Sequence, residues 1–187
     1  MLATTFNLMR SKAHFVHQFI KHPRSMGSLT PSSITLCNTM AEGANWSSAM
    51  AIAELGAGDG VLTRILLSRM QPQARLDAFE ISPSLLIKLR AIDDPRLKVR
   101  PCSAEYLAGK YDVIFSGLPL LSLPVSVRDA VLSAVRESLT PDGVFIQFQY
   151  TSLTQQDLSR YFIWERTRVL KNIPPAWVYR CMLNYRS

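Results

Sequence analysis

The chain is 187 residues long with 48% hydrophobic and 19% charged residues, a composition that suits one globular domain and excludes disorder. No apolar run approaches the ~18–20 residues that span a bilayer. Three scattered cysteines, Cys37, Cys102 and Cys181, exclude a disulfide scaffold or a Cys/His metal site and point to a reducing, cytoplasmic setting. The net charge of +7 comes from the ends: four basic residues and no acid lie before residue 25, and six basic residues and one acid from Arg160 onward. Such basic ends suit an anionic partner, either nucleic acid or a lipid surface.

Thr4 to Lys21 predicts an amphipathic helix. Met9, Ala13, Val16 and Ile20 form one face, with Leu8, Phe15 and Phe19 beside them. Arg10, Lys12, His14, His17 and Lys21 form the other. Polar residues interrupt the apolar positions, which excludes a secretory signal. A basic presequence and a helix packed on its own domain remain open readings. A third is a helix lying in a membrane surface, with Phe6, Met9, Phe15 and Phe19 inward and Lys12 and Lys21 toward anionic headgroups. Residues 1–24 are therefore set apart from a domain covering 25–187.

Met26 to Pro31 reads as a turn-rich connector, and Ser33 to Glu42 as a helix with Ser32 as its N-cap. Strands and helices then alternate. Strands are predicted at Ala49–Leu55, Arg75–Glu80, Leu97–Arg100, Tyr111–Ser116 and Val144–Tyr150. Helices are predicted at Val61–Met70, Ser84–Ala91 after Pro83, and Val125–Leu139, the last ended by Thr140-Pro141-Asp142-Gly143. This order means a doubly wound, mostly parallel sheet. After a helix near Gln155–Tyr161, the strands Phe162–Leu170 and Trp177–Tyr185 have no room between them for a crossover helix. They should pair antiparallel at the sheet's end.

Glu54-Leu55-Gly56-Ala57-Gly58-Asp59-Gly60 joins the first parallel strand to its helix. Glycine allows a tight turn and close approach of the backbone to a ligand. Glu80 ends the next strand, twenty residues after Gly60, where a carboxylate can accept the ribose hydroxyls of a nucleoside cofactor. A dinucleotide and S-adenosylmethionine compete for such a loop, and the Gly-x-Gly-x-Gly spacing favours the latter.

The Glu-Leu-Gly-x-Gly-x-Gly stretch resembles motif I of class I S-adenosylmethionine-dependent methyltransferases. Glu80, followed by Ile81, matches the acid of the next motif. Ser103-Ala104-Glu105 falls at the adenine loop, where Ser103 replaces the family's usual acid. Asp112 to Pro119 matches the fourth strand and its substrate-facing loop, with Ser116 and Gly117 at the cofactor and Leu118 toward the substrate. The resemblance implies a Rossmann-like α/β fold with a seven-stranded sheet, S-adenosylmethionine as cofactor and no metal.

Adenine methyltransferases of nucleic acids carry Asn and an aromatic residue in this loop. Here Ser116 and Leu120 stand in their places, and the run Leu118-Pro119-Leu120-Leu121-Ser122-Leu123-Pro124 is better suited to an acyl chain or a membrane interface. The chain is similar to the bacterial soluble phospholipid N-methyltransferases, which methylate phosphatidylethanolamine toward phosphatidylcholine and have relatives acting on ornithine lipids. Phe19 to Pro23, Met26 to Ser33, Ser116 to Pro124 and Asn172 to Arg180 carry this likeness. It implies a monomer bound peripherally to the inner face of an anionic membrane, with Gly27 to Pro31 folding over the cofactor. Gly27, Thr30, Leu118, Tyr179 and Arg180 are the candidate substrate residues, Arg180 for a lipid phosphate and Tyr179 for the ammonium. A nucleic-acid or small-amine methyltransferase, and a cofactor-binding membrane protein without catalysis, are the rival classes.

Overall fold

A computed structural model of the chain describes residues 31–172 and 174–184. The element order is α1 (Pro31–Glu42), β1 (Ala51–Leu55), α2 (Val61–Arg69), β2 (Arg75–Phe79), α3 (Pro83–Arg90), β3 (Leu97–Arg100), β4 (Tyr111–Ser116), α4 (Val125–Ser138), β5 (Leu139–Gln149), α5 (Gln155–Ser159), β6 (Phe162–Val169) and β7 (Ala176–Leu183). The segment assigned to an N-terminal amphipathic helix lies outside the described residues, as do Gly27 and Thr30.

The seven strands form one sheet in the order β3-β2-β1-β4-β5-β7-β6. β1 to β5 are parallel, and β7 enters antiparallel between β5 and β6. Alternation along each strand sends successive side chains to opposite faces. Ile52, Phe115, Ile146 and Val178 face Leu36 and Met40 of α1 and Leu62 and Leu66 of α2. Ala53, Leu55, Ile114, Phe145 and Tyr179 face Val131, Leu132 and Val135 of α4 and Leu158 of α5. Strands buried on both faces explain why β1 and β4 read as nearly continuous apolar runs.

Two sequence expectations are corrected. The helix already includes Pro31, so Ser32 lies within it and is not its N-cap; proline is tolerated in a first helical turn. Thr140 to Gly143 is not a free turn but part of β5. Leu139 pairs with Tyr111, the ladder breaks, and pairing resumes at Val144 with Val113. Pro141 has no N–H to contribute, and a bulge is where a strand tolerates that.

Asp112 holds the start of this sheet together. Its Oδ2 accepts the Met50 and Ala51 amides at 2.9 and 3.0 Å, and its Oδ1 accepts the Thr140 hydroxyl at 3.3 Å. One carboxylate therefore joins the entrances of β1, β4 and β5. Asp112→Ala should lower the urea midpoint with the m-value unchanged, corresponding to ~1–3 kcal/mol. An unchanged midpoint would show that these bonds add nothing to stability.

Candidate active site

The strand order reverses between β1 and β4, and open α/β sheets bind ligands beyond the carboxyl ends of the strands at such a point. There the residues following four neighbouring strands converge. Gly56 N–H and Ala57 N–H donate to Phe79 O at 2.9 and 3.0 Å, which ties the glycine turn to the end of β2. Gly117 N–H donates to Leu55 O at 3.0 Å. A β-carbon on Gly117 would stand 3.3 Å from Gly56 O, so the loop after β4 packs directly on that turn.

The turn needs its glycines. Gly56, Gly58 and Gly60 have φ of +73°, +61° and +83°, a region that side chains disfavour. Glu80 is buried and accepts three backbone amides: Gly58 N–H at 2.9 Å on Oε2, and Ile81 and Ser82 N–H at 2.8 Å each on Oε1. Ser116 Oγ accepts Leu118 N–H at 3.2 Å and shapes the loop after β4.

A cleft partly open to solvent lies against these turns. Of the sequence-predicted residues, Gly56, Glu80, Ile81, Ser103, Ala104 and Leu118 line it. Glu54, Gly58, Gly60, Glu105, Ser116 and Gly117 are not in its wall. Gly60 opens α2, and Glu105 lies beside the Ser103 hydroxyl at 3.3 Å. Ser116 and Gly117 act from behind by fixing the loop.

Tyr179 and Arg180 are not brought to the cleft. Tyr179 is fully buried, its ring edge-on to Trp164 and its hydroxyl accepting Gln155 Nε2 at 3.1 Å. Arg180 is on the sheet face toward α1, where its Nε donates to Gly43 O at 3.0 Å and its Nη1 meets Glu165 at 3.3 Å. Alternation puts the two on opposite faces, and each has its own structural partner.

Sequence reasoning missed several residues. Phe79, Cys102, Val127 and Val131 complete the cleft wall, together with Leu123 of the apolar loop already singled out. Val127 and Val131 are one helical turn apart at the start of α4, a spacing visible in the sequence. Burial pushes the Cys102 thiol up, against the opposing charge of Arg100, so this is no activated nucleophile. Gln147 and Gln149 both donate through Nε2 to Leu118 O, at 3.0 and 3.2 Å, and clamp the loop after β4 to β5. Two glutamines at alternate positions in an apolar strand were the available signal.

Residues 53–145 match the family model described as a methyltransferase domain. The chain is 30% identical over 179 residues to an ornithine lipid N-methyltransferase from Singulisphaera acidiphila, covering 89% of this chain and 93% of that one. It belongs to the class I S-adenosylmethionine-dependent methyltransferases. Two solved structures share the fold. The N-methyltransferase NodS from Bradyrhizobium japonicum WM9, in complex with S-adenosylhomocysteine, aligns at TM-score 0.73 and 12% identity over 90% of this chain and 98% of that one. The 1,6-didemethyltoxoflavin-N1-methyltransferase from Burkholderia thailandensis aligns at 0.67 and 16% over 82% and 80%.

S-adenosylmethionine is thus the methyl donor, and the residues of this methyltransferase fit it. A β-carbon on Gly58 would meet no atom within 4 Å, so there is open space beside the Glu80 carboxylate that Gly58 bonds. A carboxylate offers about four acceptor positions. Glu80 fills three with amides, which leaves one for a ribose hydroxyl unless an amide yields.

Glu54 plays another part. It is buried on the α2 side, where Thr63 Oγ1 donates to its Oε2 at 2.6 Å. Burial pushes its carboxyl from an ordinary 4.5 up to about 8; the Thr63 bond opposes this, and the charges of Glu80 and Asp59 add to it. The folded protein therefore holds a proton there that the unfolded chain releases. The associated stability is complete below pH 4.5 and is lost as pH rises through about 8. Without cofactor, wild-type stability should fall relative to Glu54→Gln by up to ~5 kcal/mol across that window. Parallel curves for the two proteins in urea unfolding would show that Glu54 does not titrate there.

Proposed function

We propose that this methyltransferase methylates the amine of a membrane lipid. The observation that carries the reading is the near full-length match to an ornithine lipid N-methyltransferase. The cleft agrees with it: Leu118, Leu123, Val127 and Val131 give one wall an apolar surface beside the polar Glu80 and Ser103. Ornithine lipid and phosphatidylethanolamine both present a primary amine, and phosphatidylethanolamine is the acceptor that the sequence resemblance favours. The protein would bind an anionic membrane peripherally, through residues 1–24.

When bound, the donor supplies an electrophilic methyl carbon on a sulfonium sulfur. The chain's task is alignment and exclusion of water. Glu80 anchors the ribose end, and the Gly56 to Gly60 turn lets the backbone approach. Ser116, Gln147 and Gln149 hold the loop that faces the acceptor. An amine nucleophile needs only its neutral form and a fixed direction, so neither a thiolate nor a strong base is required of this wall.

Base flipping fits poorly. Leu120 occupies the position of the aromatic plate and is fully buried, so it cannot stack on a base. Ser116 Oγ is engaged by the Leu118 amide.

Glu80→Ala should raise the Kd for S-adenosylmethionine at least ~tenfold in calorimetry, the loss of one charge-assisted hydrogen bond and a looser turn. A folded variant with wild-type affinity would remove Glu80 from the site. Labelled methyl transfer to vesicles containing phosphatidylethanolamine or ornithine lipid decides the acceptor. Label should appear in the lipid fraction of at least one, and a protein that binds the donor but labels neither is not a lipid methyltransferase.

A further inference from the structure

Ten large apolar side chains are exposed among the described residues, and five of them sit at one end of the sheet. Leu121 and Val125 follow β4, Tyr150 and Leu153 follow β5, and Leu170 follows β6. This is the end at which the parallel strands finish and the cleft opens. Leu153 and Leu170 are 72% and 68% exposed. The loop after β4 serves both places, sending Leu118 and Leu123 into the cleft and Leu121 outward. The apolar rim therefore borders the cleft mouth.

Cations stand beside it. Arg168 is opposite Trp177, which is opposite Gln149 at the end of β5. The guanidinium groups of Arg166 and Arg168 lie 4.2 and 4.9 Å from the Trp177 ring centroid. Lys171 is exposed in the turn next to Leu170. None of these three cations enters an ion pair among the described residues, whereas Arg128 and Arg160 pair with Asp157 and Asp129. Stacking on an indole fixes a guanidinium plane and leaves its N–H edge for an oxyanion. Exposed leucines, a tryptophan and unpaired cations on one rim match the layers of a bilayer surface, apolar below and anionic phosphate above.

We infer that this rim docks on an anionic bilayer and turns the cleft mouth toward the lipid headgroups. It is a contact surface made by residues of the folded domain, in addition to the one proposed for residues 1–24. Leu121, Val125, Leu153 and Leu170 enter the acyl boundary, and Arg166, Arg168 and Lys171 meet the phosphates. The choice of a bilayer as occupant rests on the lipid-amine reading above, while the rim itself rests on exposure and charge.

The test is sedimentation of the full chain with vesicles, in the absence of methyl donor. Vesicles of phosphatidylethanolamine and phosphatidylglycerol in equal parts are compared with vesicles of phosphatidylcholine alone. Leu153→Glu combined with Leu170→Glu should lower the partition coefficient at least ~tenfold on the anionic vesicles. Arg168→Ala combined with Lys171→Ala should lower it roughly tenfold on anionic vesicles and leave the neutral ones unchanged. Both variants should bind S-adenosylmethionine as wild type does, which shows that they are folded. Wild-type partitioning by both variants overturns the inference, since residues outside the rim would then carry all the binding. It is also overturned if wild type is a dimer without vesicles and the leucine variant a monomer, because the rim would then meet a second copy. No methyl transfer is needed for either result. Rim-dependent binding without lipid methylation would count against the lipid-amine reading alone.

Discussion

The site depends on how one buried carboxylate is shared. Glu80 accepts amides from the turn after β1 and from its own chain beyond β2. A carboxylate in this setting gains from charge-assisted bonds and orders every amide it holds. Two turns that would otherwise move separately become one surface. The loop after β4 rests on that surface through Gly117, and the glutamines of β5 press it down from the other side. The cleft is thus a consequence of backbone groups being satisfied at strand ends rather than of side chains chosen to form a cup.

Glu54 and Glu80 show how place decides the behaviour of chemically equal groups. Both are buried at the ends of adjacent strands. Glu80 faces amide donors and is solvated by them. Glu54 faces α2 with one hydroxyl donor, and burial leaves it favouring the proton. The charge of Glu80 is close enough to push Glu54 further toward its neutral form.

Much of this was legible in the sequence. Short strands alternating with helices set the order of the elements, and β3 and β4 agree residue for residue with expectation. The glycine turn and Glu80 could be found because few chemistries place three glycines and a distant acid at two strand ends. The headgroup residues could not. Alternation says that Tyr179 and Arg180 point apart, but only the sheet order says that β5 stands between them and the nearest cleft wall, the loop after β4. Thr140 to Gly143 misled because Pro-Asp-Gly is turn chemistry, and a bulge inside a strand uses the same residues. Val127 and Val131 were hidden because a helix that packs on a sheet and a helix that walls a cleft have the same spacing.

The insertion of β7 between β5 and β6 has a consequence for the nascent protein. β7 follows β6 in the sequence yet lies inside the sheet, so β5 has an unpaired side until residues 176–183 have left the ribosome. Phe145 and Ile146, both fully buried in the finished fold, sit on that waiting edge. An open apolar strand edge is a template for pairing with other chains. That edge closes only when β7 arrives, and the interval before it is when a chaperone would matter most.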